Sequence, residues 1–256
     1  MIEVELYRRL ADTTVGRRIT GVDAPDAWFL KRGLDAIGVA DAMVGRTVTG
    51  TRRIGKLLLL DTDGATLGLR FGMTGRLLVD GTAGIGELEY GSSRDVLAWD
   101  RFGLRFEGGG DLRIRDPRRL GGVELDPDTA RLGVDAAAIT PARLAAALSG
   151  SAAPLKARLL DQARIAGLGN LLVDEILWRA GLDPRRAAGS LTPTEGRRLH
   201  RHLRGTLAEL TALGGSNLGR LQVARVRGGT CPRDGAPLAR SEVGGRTTYH
   251  CPRHQR

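Results

Sequence analysis

Two corners near the C-terminus carry the most explicit chemistry. Cys231-Pro-Arg-Asp234 is followed, sixteen residues later, by Cys251-Pro-Arg-His254, with Gly244-Gly245 between them. Paired C-x-x-C-type corners joined by a hairpin are a common way to hold a structural Zn2+. The expected ligands are Cys231, Asp234, Cys251 and His254, of which Asp is the unusual member. His250 competes for a place. The alternative is a knuckle that keeps its shape by packing, without an ion. The chain's two cysteines both lie here, which points to a metal knuckle rather than a disulfide framework.

The N-terminus offers a second kind of chemistry. In "MIEVELYRRL", Glu3 and Glu5 stand beside the terminal amine. Carboxylates suit the first turn of a helix. An α-amino group, with an ordinary pKa near ~8, is also a nucleophile that forms imines when a carboxylate manages the protons. The local residues leave both readings open.

Other stretches suit a phosphate backbone. In "DQARIAGLGNLLVDEILWRAGLDP", Gly167 and Gly169 allow a tight turn and Asn170 opens a helix. Free backbone N–H groups at such a start bind phosphate, and the Asn170 side chain adds a donor. The plainer reading of Asn170 is an N-cap between packed helices. Arg246, beside the Gly-Gly turn, is placed to reach a phosphate. In "RFGMTGRLL" and "DPRRLGG", Met73 and Arg118 or Arg119 project from turns, as side chains that wedge into a base stack do. Met73 taken alone suits a core.

The elements that must position these residues fall into two halves. From about residue 18 to 115, short β-type runs alternate with Gly- and Asp-rich turns: "RRITGVDAP", "GRTVTGTRRIG", "KLLLLDT", "ATLGLRFG", "GRLLVD", "RDVLAWD" and "DLRIRD". This spacing predicts a sandwich or barrel. After "DPRRLGG" the pattern becomes helical. "LTPTEGRRLHRHLRGTLAELTALGG" opens on a Thr192/Glu195 capping box with Pro193 and stops at Gly214-Gly215. "ITPARLAAALSG", "APLKARLLDQARIAG" and "NLLVDEILWRAGLDP" are also helical. The 256 residues carry a net charge of +10, which favours a polyanion such as nucleic acid. Only three of the 39 basic residues are lysines, so Lys56 and Lys156 stand out in an Arg-rich chain. No apolar run reaches the ~20 residues of a membrane span and no signal-peptide pattern is present. The expectation is a cytoplasmic protein, nucleoid-associated when bound to DNA, with no membrane role.

Taken in order, these motifs resemble the formamidopyrimidine-DNA glycosylase/endonuclease VIII family of base-excision repair. "EVELYRR" resembles the family's opening helix and "RRIGKLLLL" its lysine-bearing segment. "FGMTG" and "DPRRLGG" resemble its lesion-gap loops, "LLDQARIAGLGNLLVDEILWRAGLDP" its helix–two-turns–helix, and "GRTTYHCPRH" its zinc finger. The resemblance implies an α+β fold: a β-sandwich catalytic-type domain with a short N-terminal helix (1–130), a helix–two-turns–helix DNA-binding domain (131–226) and a zinc-finger-like β-hairpin (227–256). It implies a monomer acting on damaged double-stranded DNA. Asn170 and Arg246 would pinch phosphates beside the lesion, Lys56 would contact the lesion-side backbone, and Lys156 would lie near the lesion. Met73 and Arg118 would fill the gap left by a flipped nucleotide. Leu120 stands where the family often has Phe.

The resemblance also exposes two departures. The family's N-terminal Pro, which attacks the sugar C1′, and the Glu after it have no clear counterpart here. Met1 or Ile2 would supply a surrogate amine, with Glu3 or Glu5 as acid/base. Ile2 disfavours removal of Met1. The segment "GGSNLGRLQVARVRGGTC" is shorter than the loop that covers the flipped base in the family's oxidised-purine enzymes, and Gly219 stands near a family Lys. The expected function is a DNA glycosylase/AP lyase with an altered nucleophile. The alternatives are a catalytically impaired lesion- or abasic-site binder, and a general nucleic-acid binder.

Overall fold

The computed structural model describes residues 1–86, 88–92 and 94–256. The chain divides into two compact units, one of residues 3–129 and one of residues 130–256 together with Met1 and Ile2.

The first unit is a β-sandwich with helices. Its order is α1 (Ile2–Ala11), β1 (Ile19–Asp23), α2 (Ala36–Met43), β2 (Val48–Ile54), β3 (Leu57–Thr62), β4 (Leu67–Arg70), β5 (Arg76–Val79), β6 (Thr82–Ala83), β7 (Asp100–Phe106), β8 (Asp111–Arg115) and β9 (Gly122–Leu125). One sheet runs β1-β7-β8-β5-β6 and the other β2-β3-β4-β9. The four consecutive leucines of β3 are all buried. Leu58 and Leu60, with Leu67 and Leu69 of β4, join Leu77, Phe102, Leu104, Leu112 and Ile114 of the other sheet in one core.

Two details depart from the sequence expectation. "RDVLAWD" forms a 3-10 turn at Leu97–Trp99, and the strand begins only at Asp100. The alternating Phe102, Leu104 and Phe106, not Val96 and Leu97, are the buried set. The helix α2 falls inside the stretch read as β-type. Its signal was present, since the Asp35 side chain accepts the Gly38 N–H at 2.7 Å as an N-cap.

The second unit is mostly helical: β10 (Val134–Asp135), α3 (Pro141–Leu148), α4 (Leu155–Leu160), β11 (Ile165–Ala166), α5 (Asn170–Ala180), α6 (Pro193–Leu213), then the hairpin β12 (Ala239–Val243) and β13 (Arg246–His250). The fold class is α+β, with the sandwich first and the helices and hairpin after it. No helix among the described residues is long and apolar enough to cross a membrane.

The α6 capping box forms as the sequence requires. Thr192 accepts the Glu195 N–H, and Glu195 accepts the Thr192 N–H at 2.8 Å. The Arg186 hydrogen bond, followed by that Thr192 N–H, pulls the Glu195 carboxyl down to about 2. A carboxyl whose folded pKa is depressed stabilises the fold fully above its unfolded value, and that gain is lost as pH falls toward 2. Glu195→Gln is therefore expected to flatten the melting temperature between about pH 4.5 and 2. At neutral pH it costs about 1 kcal/mol. Thermal melts across that range measure both.

Candidate functional site

The first unit carries five of the expected residues, Glu3, Glu5, Met73, Arg118 and Leu120, on α1 and two loops. Tyr7 of α1 donates its hydroxyl to the Gly75 carbonyl at 3.0 Å, and its ring packs on Phe71 at 4.5 Å. The opening helix is thus fastened to the "FGMTG" loop. Burial first, and then the neighbouring Glu3 charge, push the Tyr7 hydroxyl far above its ordinary value, so it stays a neutral donor.

The second loop, Asp116–Gly121, is tied to the first by one carboxylate. Asp116 is fully buried. Its oxygens accept the Thr74 hydroxyl at 2.5 Å, the Gly121 N–H at 2.8 Å and the Arg118 N–H at 3.2 Å. The loops also touch directly: a Cβ on Gly72, at φ +58, would lie 2.6 Å from the Leu120 Cβ. Arg119 sits at φ 57, a strained conformation for a non-Gly residue. Its guanidinium grips the buried Asp26 with two bonds of 2.6 and 2.7 Å. From this pair of loops Met73 and Leu120 project, 50% and 45% exposed, with Arg118 also exposed. Met73 is therefore not a core residue.

Glu3, Glu5 and Lys56 differ in what they are able to do. Burial alone would raise the Glu5 pKa. Hydrogen bonds from Arg8, Arg9 and Arg53 outweigh it and hold the carboxyl below its ordinary range. Glu5 is a committed ion-pair acceptor, a poor place for a general acid. Glu3 is partly exposed. Lys56 is exposed in the two-residue turn between β2 and β3, where Gly55 at φ +60 allows Ile54 to pair with Leu57. Met1 and Ile2 are buried, at 8% and 1% exposure.

The second unit brings Asn170, Lys156 and the Arg246 strand to one carbonyl. The Thr247 carbonyl accepts from Asn170 Nδ2 at 3.1 Å and Lys156 Nζ at 3.0 Å. Arg246, the next residue, is exposed at the start of β13. Both turn glycines before it, Gly244 and Gly245, have positive φ, as a two-residue hairpin turn requires. Asn170 does not cap α5. The cap position belongs to Gly169, and the Asn170 side chain instead reaches the hairpin.

Lys156, expected near the lesion, is held in the interior of the second unit. Its side chain is wholly buried, with Nζ 2.6 Å from Asp174 Oδ1. Asp174 Oδ2 also accepts from Arg225 at 3.0 Å and the Tyr249 N–H at 3.2 Å. Burial pushes Lys156 down and Asp174 up, each toward its neutral form. Three donors on one carboxylate, one of them a guanidinium that keeps its charge, hold the group ionised. Sequence reasoning missed Asp174 and Arg225, because nothing local marks them as partners.

The loop after α6 is shaped by another buried acid. Glu175 accepts the Leu221 N–H at 2.8 Å, the Arg220 N–H at 3.2 Å and Arg179 at 2.6 Å. A Cβ on Gly219 would lie 2.6 Å from Glu175 Oε2, so this carboxylate fills the space beside Gly219.

The C-terminal cluster gathers four side chains that could hold a metal ion. One donor atom from each of Cys231, Asp234, Cys251 and His254 lies within 4.8 Å of all the others. His254 Nε2 is 3.2 Å from the Trp178 carbonyl. Donation there leaves the Nδ1 lone pair, 3.0 Å from Asp234, for a cation. Trp178 Nε1 donates to the Cys231 sulfur at 3.3 Å, as the Arg233 N–H does at 3.4 Å. The Ala236 N–H, the largest contribution, and His254 hold the Asp234 carboxyl well below its ordinary value. Two thiolates, an imidazole and a carboxylate suit a divalent, borderline-soft ion in four-coordination. His250 lies outside this group. It is buried, with no hydrogen-bond partner for either ring nitrogen among the described residues.

Comparison with known proteins agrees across the chain. Residues 1–123 match the formamidopyrimidine-DNA glycosylase N-terminal domain and residues 132–220 match the formamidopyrimidine-DNA glycosylase H2TH domain. The formamidopyrimidine-DNA glycosylase of Halalkalibacterium halodurans is 33% identical over 274 residues, covering 97% of this chain and 96% of that one. That of Geobacillus kaustophilus is 36% identical over 281 residues, covering 99% and 98%. Among solved structures, a Lactococcus lactis relative bound to Fapy-dG-containing DNA aligns with a TM-score of 0.83 at 27% identity, covering 100% of this chain and 99% of that chain. Another, bound to abasic-site DNA, aligns with a TM-score of 0.83 at 26% identity and the same coverage. With matches spanning both units and relatives aligned nearly end to end, the chain belongs to the formamidopyrimidine-DNA glycosylase family.

Proposed function

We propose that this chain is a base-excision-repair DNA glycosylase and AP lyase that acts on damaged or abasic sites in duplex DNA through a non-proline amine. One observation carries the reading. Two loops locked together by Asp116 hold Met73 and Leu120 half exposed, where a soluble domain has no structural use for them. Such side chains fill the gap in a stack from which a nucleotide has turned out.

Each residue then has a role. Asn170 and Arg246 hold phosphates beside the lesion, and Lys56 holds the lesion-side backbone. Met73, Leu120 and Arg118 occupy the vacated space. The α-amine of residue 1, or of Ile2 after Met removal, attacks the sugar C1′. The N–C1′ bond forms as the glycosidic bond breaks, and the base leaves with a proton. The nitrogen lone pair then opens the sugar ring: the C1′–O4′ bond breaks, O4′ takes a proton, and the resulting protonated imine acidifies the C2′ hydrogen. Loss of that proton to a carboxylate expels the 3′ phosphate by β-elimination. Glu3 is the better acid/base, because Glu5 is committed to three arginines. The burial of Met1 and Ile2 favours the second reading, a lesion binder without chemistry.

Binding tests the shared part of both readings. An abasic duplex is expected to bind more tightly than an undamaged one. Asn170→Ala is expected to weaken both and to lower the salt slope by about one unit. Equal affinity for the two duplexes in the parent protein overturns the lesion reading.

Cys231, Asp234, Cys251 and His254 would hold a structural zinc, which supplies cross-linking of the knuckle and no reacting group. The hairpin beside it presents Arg246 and Thr247. Stripping the metal with a chelator is therefore expected to lower DNA affinity about tenfold or more, with re-addition of zinc restoring it. Metal analysis and fluorescence anisotropy measure the two together.

A further inference from the structure

The first unit has a surface cavity of about 410 Å³ that none of the contacts above uses. That size is ordinary for a site that takes a small organic group. Pro25, Leu97 and Ala98 give it an aliphatic side, and Asp26, Arg101 and Arg119 give it a polar one. Leu97 is 71% exposed in the 3-10 turn before β7, where packing does not require an apolar residue.

The polar side is fixed in place. Arg119 Nε and Nη2 donate to the two oxygens of Asp26, itself buried. The Trp28 N–H also donates to Asp26, at 3.1 Å. Arg101 Nε donates to the Asp116 carbonyl at 2.9 Å and lies 3.7 Å from Asp26. Arg119 Nη1 has no hydrogen-bond partner among the described residues, so the outer edge of a held fork keeps donors for a ligand. A ring nitrogen beside a carbonyl, as on the edge of a nucleobase, matches such a fork. Charge narrows the choice further. Asp26 offsets Arg119, and the last charged lining residue, Asp100, is held by Arg113 and Arg115. The cavity thus lacks the concentrated positive charge that a phosphate needs. Aliphatic walls beside a rigid pair of donors suit an uncharged planar heterocycle.

The cavity's place in the chain says where that heterocycle comes from. Arg119 stands between Arg118 and Leu120, two of the gap-filling side chains. Its φ of 57 is the kind of strained backbone found at ligand clamps. When Met73 and Leu120 enter the stack, the base across the duplex has lost both its partner and its place. We propose that this cavity receives the unpaired base opposite the lesion, with Arg119 donating to its edge and Pro25, Leu97 and Ala98 covering its face. This role rests on the lesion reading, since an undamaged duplex offers no such base.

The test uses the full-length protein and a duplex with 2-aminopurine opposite a tetrahydrofuran abasic analogue. Stacking in DNA quenches 2-aminopurine, whereas aliphatic walls do not. Binding is expected to raise its emission and to shelter it from acrylamide. Ala98→Leu fills the cavity, and Leu97→Ser removes its largest apolar wall. Both positions are exposed, so thermal melts are expected to stay unchanged. Each variant is expected to reduce the rise, restore quenching by acrylamide and weaken abasic-duplex binding about threefold or more, with undamaged-duplex binding unchanged. Three results overturn the proposal while the abasic preference persists: no rise in the parent complex, a rise that acrylamide still quenches, or the same behaviour in the parent and both variants. Equal affinity of the parent protein for abasic and undamaged duplexes instead removes the lesion reading, and the cavity's role with it, so the two failures are told apart.

Discussion

Asp174→Ala is expected to destabilise the C-terminal unit by about 3–5 kcal/mol. The reason is what remains behind. Lys156 and Arg225 would both stay buried, at 0% and 8% side-chain exposure, facing each other with no carboxylate between them. The Tyr249 N–H would also lose its acceptor. An unpaired buried charge costs far more than a lost surface ion pair. Lys156→Met is expected to cost less, because Arg225 still partners Asp174 and the apolar stem is kept. Denaturant melts of the two variants measure the difference. DNA binding adds a second readout, since Lys156 and Asn170 share the Thr247 carbonyl. Lys156→Met is expected to weaken DNA binding although its ammonium touches no phosphate. Equal stability of Asp174→Ala and the parent protein would show that the buried group is not an ionised triad.

Asp116→Ala is expected to weaken discrimination in favour of abasic sites while sparing general affinity. Its carboxylate satisfies Thr74 in one loop and the N–H groups of Arg118 and Gly121 in the other. Without it, buried donors go unmet, at about 1–3 kcal/mol each. The strained Arg119 keeps its grip on Asp26 and its N–H bond to the residue-116 carbonyl, neither of which reaches Thr74. The loops then have little to fix Met73 and Leu120, and ordering them on DNA costs entropy that the parent protein has already met. The abasic-to-undamaged affinity ratio is expected to fall about tenfold, equivalent to ~1.4 kcal/mol. Undamaged-duplex binding should barely change, because Asn170 and Arg246 lie in the other unit. A uniform loss on both duplexes would place the effect in folding instead.

What the sequence made legible follows from how local each signal is. The α6 capping box and the Gly-Gly hairpin turn are written in short stretches and take the expected form, and the two C-terminal corners bring Cys231, Asp234, Cys251 and His254 together. Asn170 and Arg246 were legible as positions, but their shared link to Thr247 was not, since it joins residues 77 apart. Lys156 shows the limit most plainly. Its rarity marked it as important, yet nothing nearby shows that Asp174 would draw it into the interior. Asp116 was visible only as the first letter of "DPRRLGG", while its partner Thr74 lies 42 residues earlier. Strand β7 was displaced in the sequence reading because "RDVLAWD" has apolar residues without the alternation that "RFGLRF" keeps.

The central claim is that a terminal amine other than proline performs imine chemistry at a damaged sugar. Borohydride trapping on an abasic duplex, followed by mass spectrometry of the N-terminal peptide, tests it most directly. The expected result is a covalent DNA adduct on the α-nitrogen of Met1, or of Ile2 if Met1 has been removed, together with strand cleavage in the untrapped reaction. Tight abasic-site binding with no adduct and no cleavage would contradict it and leave a lesion-binding protein in its place.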